Sequence, residues 1–200
     1  MHHSLNSEIV LASASPRRLE LLQQIGVRAL VKPVPVEEVF LVGELPLEFV
    51  QRLALEKARH GFELMSQQGI ELPVLGSDTI VELDGEVFGK PADSEQAKSM
   101  LAKLSGRVHN VYTAVVIKTV NAEYSALSSS QVEFSVLSDE MIEEYVATGE
   151  SMDKAGAYAI QGMAARFVKN LNGSYSGVMG LPLFETAQLL AKAQVNLSEQ

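Results

Sequence analysis

The chain has 200 residues, 46% of them hydrophobic and 20% charged, and a net charge of -9. These proportions exclude a disordered chain and allow one domain with a proper core, while the negative charge argues against a broad nucleic-acid or anionic-membrane surface. There is no cysteine, which rules out disulfides, Cys–zinc sites and thiol nucleophiles and fits the cytoplasm, and no apolar run approaches the length needed to span a bilayer.

His2 and His3 read as a frayed end rather than a metal site. From Glu8 a short apolar run predicts a buried strand that stops at Ser13 and Ser15. Ser15 is a good helix N-cap and Pro16 suits the first helical position, where a missing N–H costs nothing. Leu19, Leu21, Leu22 and Ile25 supply the apolar face of that helix, and Gly26 supplies its stop. First-turn N–H groups, two serines, Arg17 and Arg18 therefore converge at one end, an arrangement suited to an anion and most naturally to phosphate. The plain alternative is a capped helix with two solvated arginines. The run Ile9–Ala14 is too short for a signal-peptide core.

Arg28–Val36, broken by Lys32, Pro33 and Pro35, is an edge strand at best. It leads to Glu37-Glu38, either a solvated pair or a carboxylate facing the Ser13–Arg18 end. Pro46–Ser66 is an amphipathic helix with Phe49, Val50, Leu53, Ala54, Ala58, Phe62 and Leu64 on its apolar side. Lys57 lies at the border of that face, either paired with Glu56 or Glu63 or contacting phosphate. Pro73–Leu83 reads as a strand with a polar centre, Gly76-Ser77-Asp78-Thr79. An Asp inside an apolar strand breaks a local rule, and such breaks mark functional sites. Gly76 signals close approach of another backbone or a ligand. Asp84-Gly85 is a hairpin turn that returns the chain to Gly89-Lys90-Pro91 and brings Lys90 toward Asp78.

Ala92–Ser105 is a helix capped by Asp93 or Ser94 and ended by Gly106. Val108–Val120 and Tyr124–Leu137 are long strands joined at Asn121-Ala122, and Ser138-Asp139 opens a helix closed by Gly149. Met152–Gly162 has too little bulk for core and reads either as a plain connector or as a loop forming a pocket wall. Ala165–Leu171 is predicted as a strand, Asn172-Gly173 as a turn, and Gly180-Leu181-Pro182 as the start of a last helix ending near Val195, followed by a frayed tail from Asn196. The sum is a mixed α/β fold, read over residues 1–200 as a single domain with two lobes around a central cleft.

Taken together, Ala12-Ser13-Ala14-Ser15-Pro16-Arg17-Arg18, Glu38, Glu56-Lys57-Ala58, Gly76-Ser77-Asp78-Thr79, Gly89-Lys90-Pro91, Lys154-Ala155-Gly156-Ala157-Tyr158, Ile160-Gln161-Gly162 and Gly180-Leu181-Pro182 resemble, in order and spacing, the Maf family of nucleoside triphosphate pyrophosphatases. The resemblance runs from Leu11 to about Thr186. It implies a twisted mixed sheet with flanking helices, related to the inosine triphosphate pyrophosphatases. Family members acting on 7-methylguanosine triphosphate carry Trp, Gln and Glu where this chain has Arg17, Thr79 and Gln161. The combination here resembles the subfamily that cleaves dTTP and UTP.

The implied reaction is attack of water on the α-phosphorus, giving the nucleoside monophosphate and pyrophosphate. Ser13, Arg17, Arg18, Lys57 and Lys90 are expected to bind the triphosphate, and Gln161 and Thr79 to read the base. Asp78 is the expected general base, with Glu38 and Asp78 holding a divalent cation, Mg²⁺ or Mn²⁺. The resemblance also allows for a homodimer, although no stripe in the sequence marks an interface. The competing class is a nucleotide-binding regulator of septum formation without significant turnover, and neither nucleic acid nor membrane is an expected partner.

Overall fold

The computed structural model describes residues 8–195; His2, His3 and the tail from Asn196 lie outside them. Seven strands form one mixed sheet in the order β2-β1-β3-β5-β6-β7, with β4 paired to β3. Parallel neighbours need crossovers. Helix α1 (Pro16–Gln24) connects β1 (Ile9–Leu11) to β2 (Ala29–Val31), and α2 (Pro46–Gln67) connects β2 to β3 (Val74–Leu83). β2 is half exposed at the sheet edge, where the prolines that follow it interrupt no ladder.

By its internal contacts the chain divides into two compact units. The first comprises described residues 8–78, 113–128 and 180–195. Its start is governed by α1, which ends as Gly26 takes a φ of +76°. Gly26 N–H then donates to Gln23 O and Val27 N–H to Leu22 O, the two bonds of a Schellman stop. Helix α2 buries Phe49, Val50, Leu53, Ala54, Lys57, Ala58, Gly61 and Met65. Leu64, expected on that face, is exposed, and Met65 takes the inward position. A small core of Val10, Ala12, Met65 and Val74 packs with Phe62, Leu30 and Val34. The last helix of this unit, α6 (Leu183–Lys192), begins at Leu183 with Pro182 as its N-cap, later than Gly180.

The second unit comprises residues 79–112 and 129–179. Here β3 turns at Asp84-Gly85, both with positive φ, into antiparallel β4 (Glu86–Phe88) with Val81 opposite Phe88. Glu82 braces the turn by accepting from Gly85 N–H at 2.5 Å and from Asn110 Nδ2 at 2.7 Å. Helix α3 (Ser94–Leu104) is capped by Asp93, whose carboxylate accepts from Gln96 N–H. Strands β5 (Val108–Lys118) and β6 (Glu123–Phe134) follow, of which residues 108–112 and 129–134 belong to this unit, then α4 (Asp139–Ala147), capped by Ser138 and closed by Gly149 at φ +78°.

Two expectations fail in this unit. Met152–Gly162 was expected to be too small for core, yet Ala157, Tyr158, Ala159 and Ile160 are buried, with three of them in the main hydrophobic cluster. Small residues are needed because the backbone itself packs inward. A Cβ on Gly156 would come within 2.9 Å of Val81 Cγ2, and Gly156 N–H donates to Gly89 O. Ala165–Leu171 is not a single strand either. Met163–Phe167 is a 3-10 helix that buries Ala164 and Phe167, and β7 begins only at Val168 (Val168–Asn172). A short helix, α5 (Tyr175–Met179), was not anticipated.

His109 is buried in this core, edge-on to Phe134 and 2.9 Å from Tyr158 Oη. Burial alone pushes its pKa down to about 4, so it is neutral in the native protein.

Candidate active site

The first unit gathers Ser13, Arg18, Glu38, Lys57 and Asp78. The arrangement begins with Gly76. An ideal Cβ there would collide with Ala54 O and stand 2.5 Å from Ala58 N, both backbone atoms of α2. Because Gly76 has none and Ala54 and Ala58 are small, α2 lies directly on β3. Side chains alternate along a strand, so Asp78 shares the face of Gly76 and meets the residue preceding Ala58. That residue is Lys57, and its Nζ donates to Asp78 Oδ1 at 2.6 Å and to Glu38 Oε1 at 2.6 Å.

Lys57 therefore pairs with neither Glu56 nor Glu63. Glu56 belongs to Arg52 instead, as the four-residue spacing favours. Lys57 and Asp78 are both at least nine-tenths buried, whereas the Glu38 side chain is 46% exposed. Burial pushes the Asp78 carboxyl above its ordinary range, while the Lys57 and Arg18 charges pull it back. Desolvation makes this carboxylate more basic, and the neighbouring ammonium opposes that rise.

Arg18 donates through Nε to Gly180 O at 2.8 Å and through Nη1 to Ser13 Oγ at 3.0 Å. Ser77, on the opposite face of β3 from Asp78, donates to the same Gly180 carbonyl. Burial lowers the Arg18 pKa and Asp78 raises it. Ser15 occupies the N-cap position of α1 but makes no side-chain cap; its N–H donates to Ser13 Oγ. Ser13 thus orders the turn into α1 and aims Arg18 at the same time. Gly180, read in the sequence as a helix start and as part of a family motif, supplies the carbonyl on which Arg18 and Ser77 converge.

Glu38 is held by an anchor that sequence reasoning missed. Arg52 reaches from α2 to Glu44 with two bonds, at 2.6 and 2.8 Å, and to Val39 O at 2.9 Å. Phe40 stacks on Phe49 with ring centroids 3.8 Å apart. One guanidinium so fixes both ends of the loop after Glu38, whose outer side exposes Val39, Leu41 and Val42. The four-residue Arg52–Glu56 spacing was visible in the sequence; the eight-residue reach to Glu44 was not.

Thr79, Lys90 and Gln161 belong to the second unit. Thr79 is half-buried and follows Asp78 on β3, so its side chain alternates to the face carrying Ser77. Lys90 is exposed just beyond β4 and, among the described residues, forms no ion pair. Gln161 is exposed at the tip of the turn before the Met163–Phe167 helix. Arg17 is half-buried on the first turn of α1.

A divalent cation is implied by the family resemblance, and the donor set can be tested against it. Glu38 and Asp78 are hard oxygen donors already converging on one positive centre, the Lys57 ammonium. Among the described residues no three His, Asp or Glu side chains form a metal cage. Two carboxylates suit a cation that takes its other ligands from water and phosphate oxygens, the usual coordination of Mg²⁺. The residues fit a cation arriving with a phosphate substrate and not a permanently caged one.

Fold and site together define a mixed α/β protein with a buried carboxylate–ammonium pair and the Arg18 charge near it. The profile of the Maf-like protein family matches residues 8–193, and the chain belongs to that family. It is 48% identical to a dTTP/UTP pyrophosphatase of Nitrosospira multiformis, covering 96% of this chain and 98% of the relative. A dTTP/UTP pyrophosphatase of Alkalilimnicola ehrlichii is 50% identical over 98% of both chains, and that of Xanthomonas campestris is 52% identical over 91% of this chain and 96% of its own. The crystal structure of protein VC0702 from Vibrio cholerae superposes with a TM-score of 0.52 at 12% identity, over 94% of this chain and 97% of that one; it speaks for the fold alone. Among the described residues no helix is long and apolar enough to cross a membrane.

Proposed function

We propose that this protein hydrolyses dTTP and UTP to the nucleoside monophosphate and pyrophosphate. The observation that carries the reading is near-full-length identity of about half to relatives bearing that activity in their names. The geometry of Asp78 supports its place in the chemistry. An unneeded buried carboxylate beside a triphosphate would repel it, whereas a desolvated one is a stronger base than aqueous Asp.

In this reading Asp78 takes the proton of the water that attacks the α-phosphorus. Lys57 holds Asp78 ionised and oriented, and Glu38 holds Lys57. Arg17, Arg18 and Lys90 neutralise charge that builds on the leaving pyrophosphate, with Ser13 aiming Arg18. Glu38 and Asp78 would hold a divalent cation, which would supply further neutralisation and acidify water. Gln161 offers a donor and an acceptor side by side, matching the N3–H and O4 edge of uracil or thymine, with Thr79 as a second contact. The reading places the enzyme in the cytoplasm, acting on free nucleotides as a monomer or a homodimer, with no nucleic-acid partner.

The test is pyrophosphate release from a panel of nucleoside triphosphates with Mg²⁺ or Mn²⁺, using Asp78→Asn as the blank. Turnover of dTTP and UTP is expected, reduced about 10²–10⁴-fold in the variant, the usual loss on removing a general base. No release from any nucleotide that binds would make the protein a nucleotide-binding regulator. The same assay after exhaustive chelation is expected to lose most activity and regain it with added Mg²⁺; undiminished turnover would remove the cation from the scheme.

Gln161→Glu places a negative charge against O4 of the pyrimidine. It is expected to lower kcat/KM for UTP and dTTP by about 10²-fold or more, as loss of a matched polar contact does, with little change in thermal stability at this exposed position. Equal loss on every nucleotide would assign Gln161 a structural role.

A further inference from the structure

Gln161 stands at the tip of a turn whose two flanks are tied to a single helix. On one flank Ala159 donates its N–H to the Tyr145 hydroxyl at 3.2 Å, and Tyr145 is fully buried on α4. On the other flank Glu150, just past the end of α4, accepts from Met163 N–H through Oε2 at 3.1 Å and from Ala164 N–H through Oε1 at 3.4 Å. These are the first N–H groups of the 3-10 helix Met163–Phe167, which has no side-chain cap at its own N-cap position, Gly162. An anion borrowed from elsewhere in the chain fills that role.

Gly162 completes the device. A Cβ there would lie 2.5 Å from Cδ and Oε1 of Glu150, while its φ of -106° is one that any residue adopts. Glycine leaves room for the carboxylate to sit there: a Cβ would displace the end of the flexible Glu150 side chain and leave the backbone unstrained. Gly162 N–H in turn closes the turn on Ala159 O at 3.0 Å.

We propose that Glu150 is a positioning residue for base recognition: its carboxylate, seated against Gly162 and gripping two N–H groups, sets the turn that carries Gln161 and so the reach of the Gln161 amide. This rests on the reading of Gln161 as the group that meets the pyrimidine edge. Two hydrogen bonds to one carboxylate fix both the position and the rotation of the turn. A side-by-side donor and acceptor needs that control, because hydrogen bonds weaken steeply with distance and misalignment. In this assignment Glu150 touches no nucleotide and acts through the backbone of residues 162–164.

The test compares the wild type, Glu150→Ala, Glu150→Gln and Gln161→Glu on UTP, dTTP, CTP and GTP, with circular dichroism as the check on folding. Glu150→Ala is expected to lower kcat/KM for UTP and dTTP about tenfold or more, chiefly through KM, and to change CTP and GTP far less, since a small misplacement of a contact is costly only where that contact is used. Glu150→Gln keeps one carbonyl acceptor and is expected to retain part of the preference. A folded Glu150→Ala with unchanged preference, or with equal losses on all four nucleotides, overturns the assignment. If Glu150→Ala does not fold, Glu150→Gln decides, because full retention of the wild-type preference would overturn it equally. A wild type with no preference among the four would instead dispose of the role given to Gln161. Amide hydrogen exchange at Met163 and Ala164, expected to accelerate in Glu150→Gln, would then still test the clamp, and unchanged exchange would reject it.

Discussion

The Lys57→Met variant is expected to lose about 3 kcal/mol of unfolding free energy at neutral pH, the usual cost of stranding one member of a buried ion pair, and to recover much of it as the solution is acidified. Asp78 is nine-tenths buried, and its carboxyl already lies above its ordinary range because of burial, with Lys57 the largest opposing influence. Removing Lys57 lets the folded-state pKa climb further above the unfolded value of about 3.9. An acid with a raised folded pKa binds its proton more tightly in the native state. Its contribution is therefore complete below the unfolded pKa and is lost as pH rises through the folded pKa. The variant should thus differ least from wild type in acid and most at neutral pH.

The double variant Lys57→Met/Asp78→Asn removes the stranded charge and should be more stable at neutral pH than Lys57→Met alone. Denaturant unfolding of the two variants across the acid-to-neutral range checks both statements. A pH-independent loss, or a double variant no better than the single one, would mean that Lys57 contributes packing and not charge. Turnover should fall in both, because Lys57→Met loses the ammonium that orients Asp78 and the double variant loses the carboxylate as well. In the wild type, activity should rise with pH through the folded pKa of Asp78, since only its deprotonated form accepts a proton.

The second large effect belongs to a residue with no side chain. Gly76→Val is expected to destabilise the protein by about 3 kcal/mol, the upper end for overpacking, because the atoms it meets are backbone of α2 and cannot rotate away. The strain is relieved only by moving α2 off β3, which draws Lys57 from Asp78. Activity should therefore fall further than the lost stability explains at temperatures where the variant is fully folded. Urea denaturation and turnover on the same preparation make the comparison. A variant with wild-type stability would falsify the close helix–strand approach on which the geometry of the site depends.

Much of the local structure was legible because it depends on neighbours in the chain. Pro16 and Gly26 bound α1, Asp93 caps α3, Ser138 caps α4, and Asp84-Gly85 turns β3 into β4, each through groups a few residues apart. Gly76 announced a close approach for the same reason, although not of what. The misread segments are those where packing overrides composition. The run Ala155–Ala159 became core because Gly156 lets its backbone approach Val81 while the Tyr158 ring packs edge-on against Phe134. Met163–Phe167 coiled into a 3-10 helix, with Glu150 capping its first N–H groups.

By itself the sequence pointed to the family, most of the strands and helices, and which polar residues to watch: Ser13, Arg17, Arg18, Glu38, Lys57, Asp78, Thr79, Lys90 and Gln161. It could not say which of them meet. Periodicity placed Lys57 at the margin of an apolar face, where a pair with Glu56 or Glu63 and a contact to phosphate were the readings open. Only the tertiary structure, by laying α2 on β3 at Gly76, turned that lysine inward onto Asp78 and Glu38. The physical reason is reach. A cap or a turn spans a few residues and leaves its mark in the local pattern, whereas Lys57 and Asp78 are 21 residues apart and are joined where the backbones of α2 and β3 come close enough to exclude a side chain.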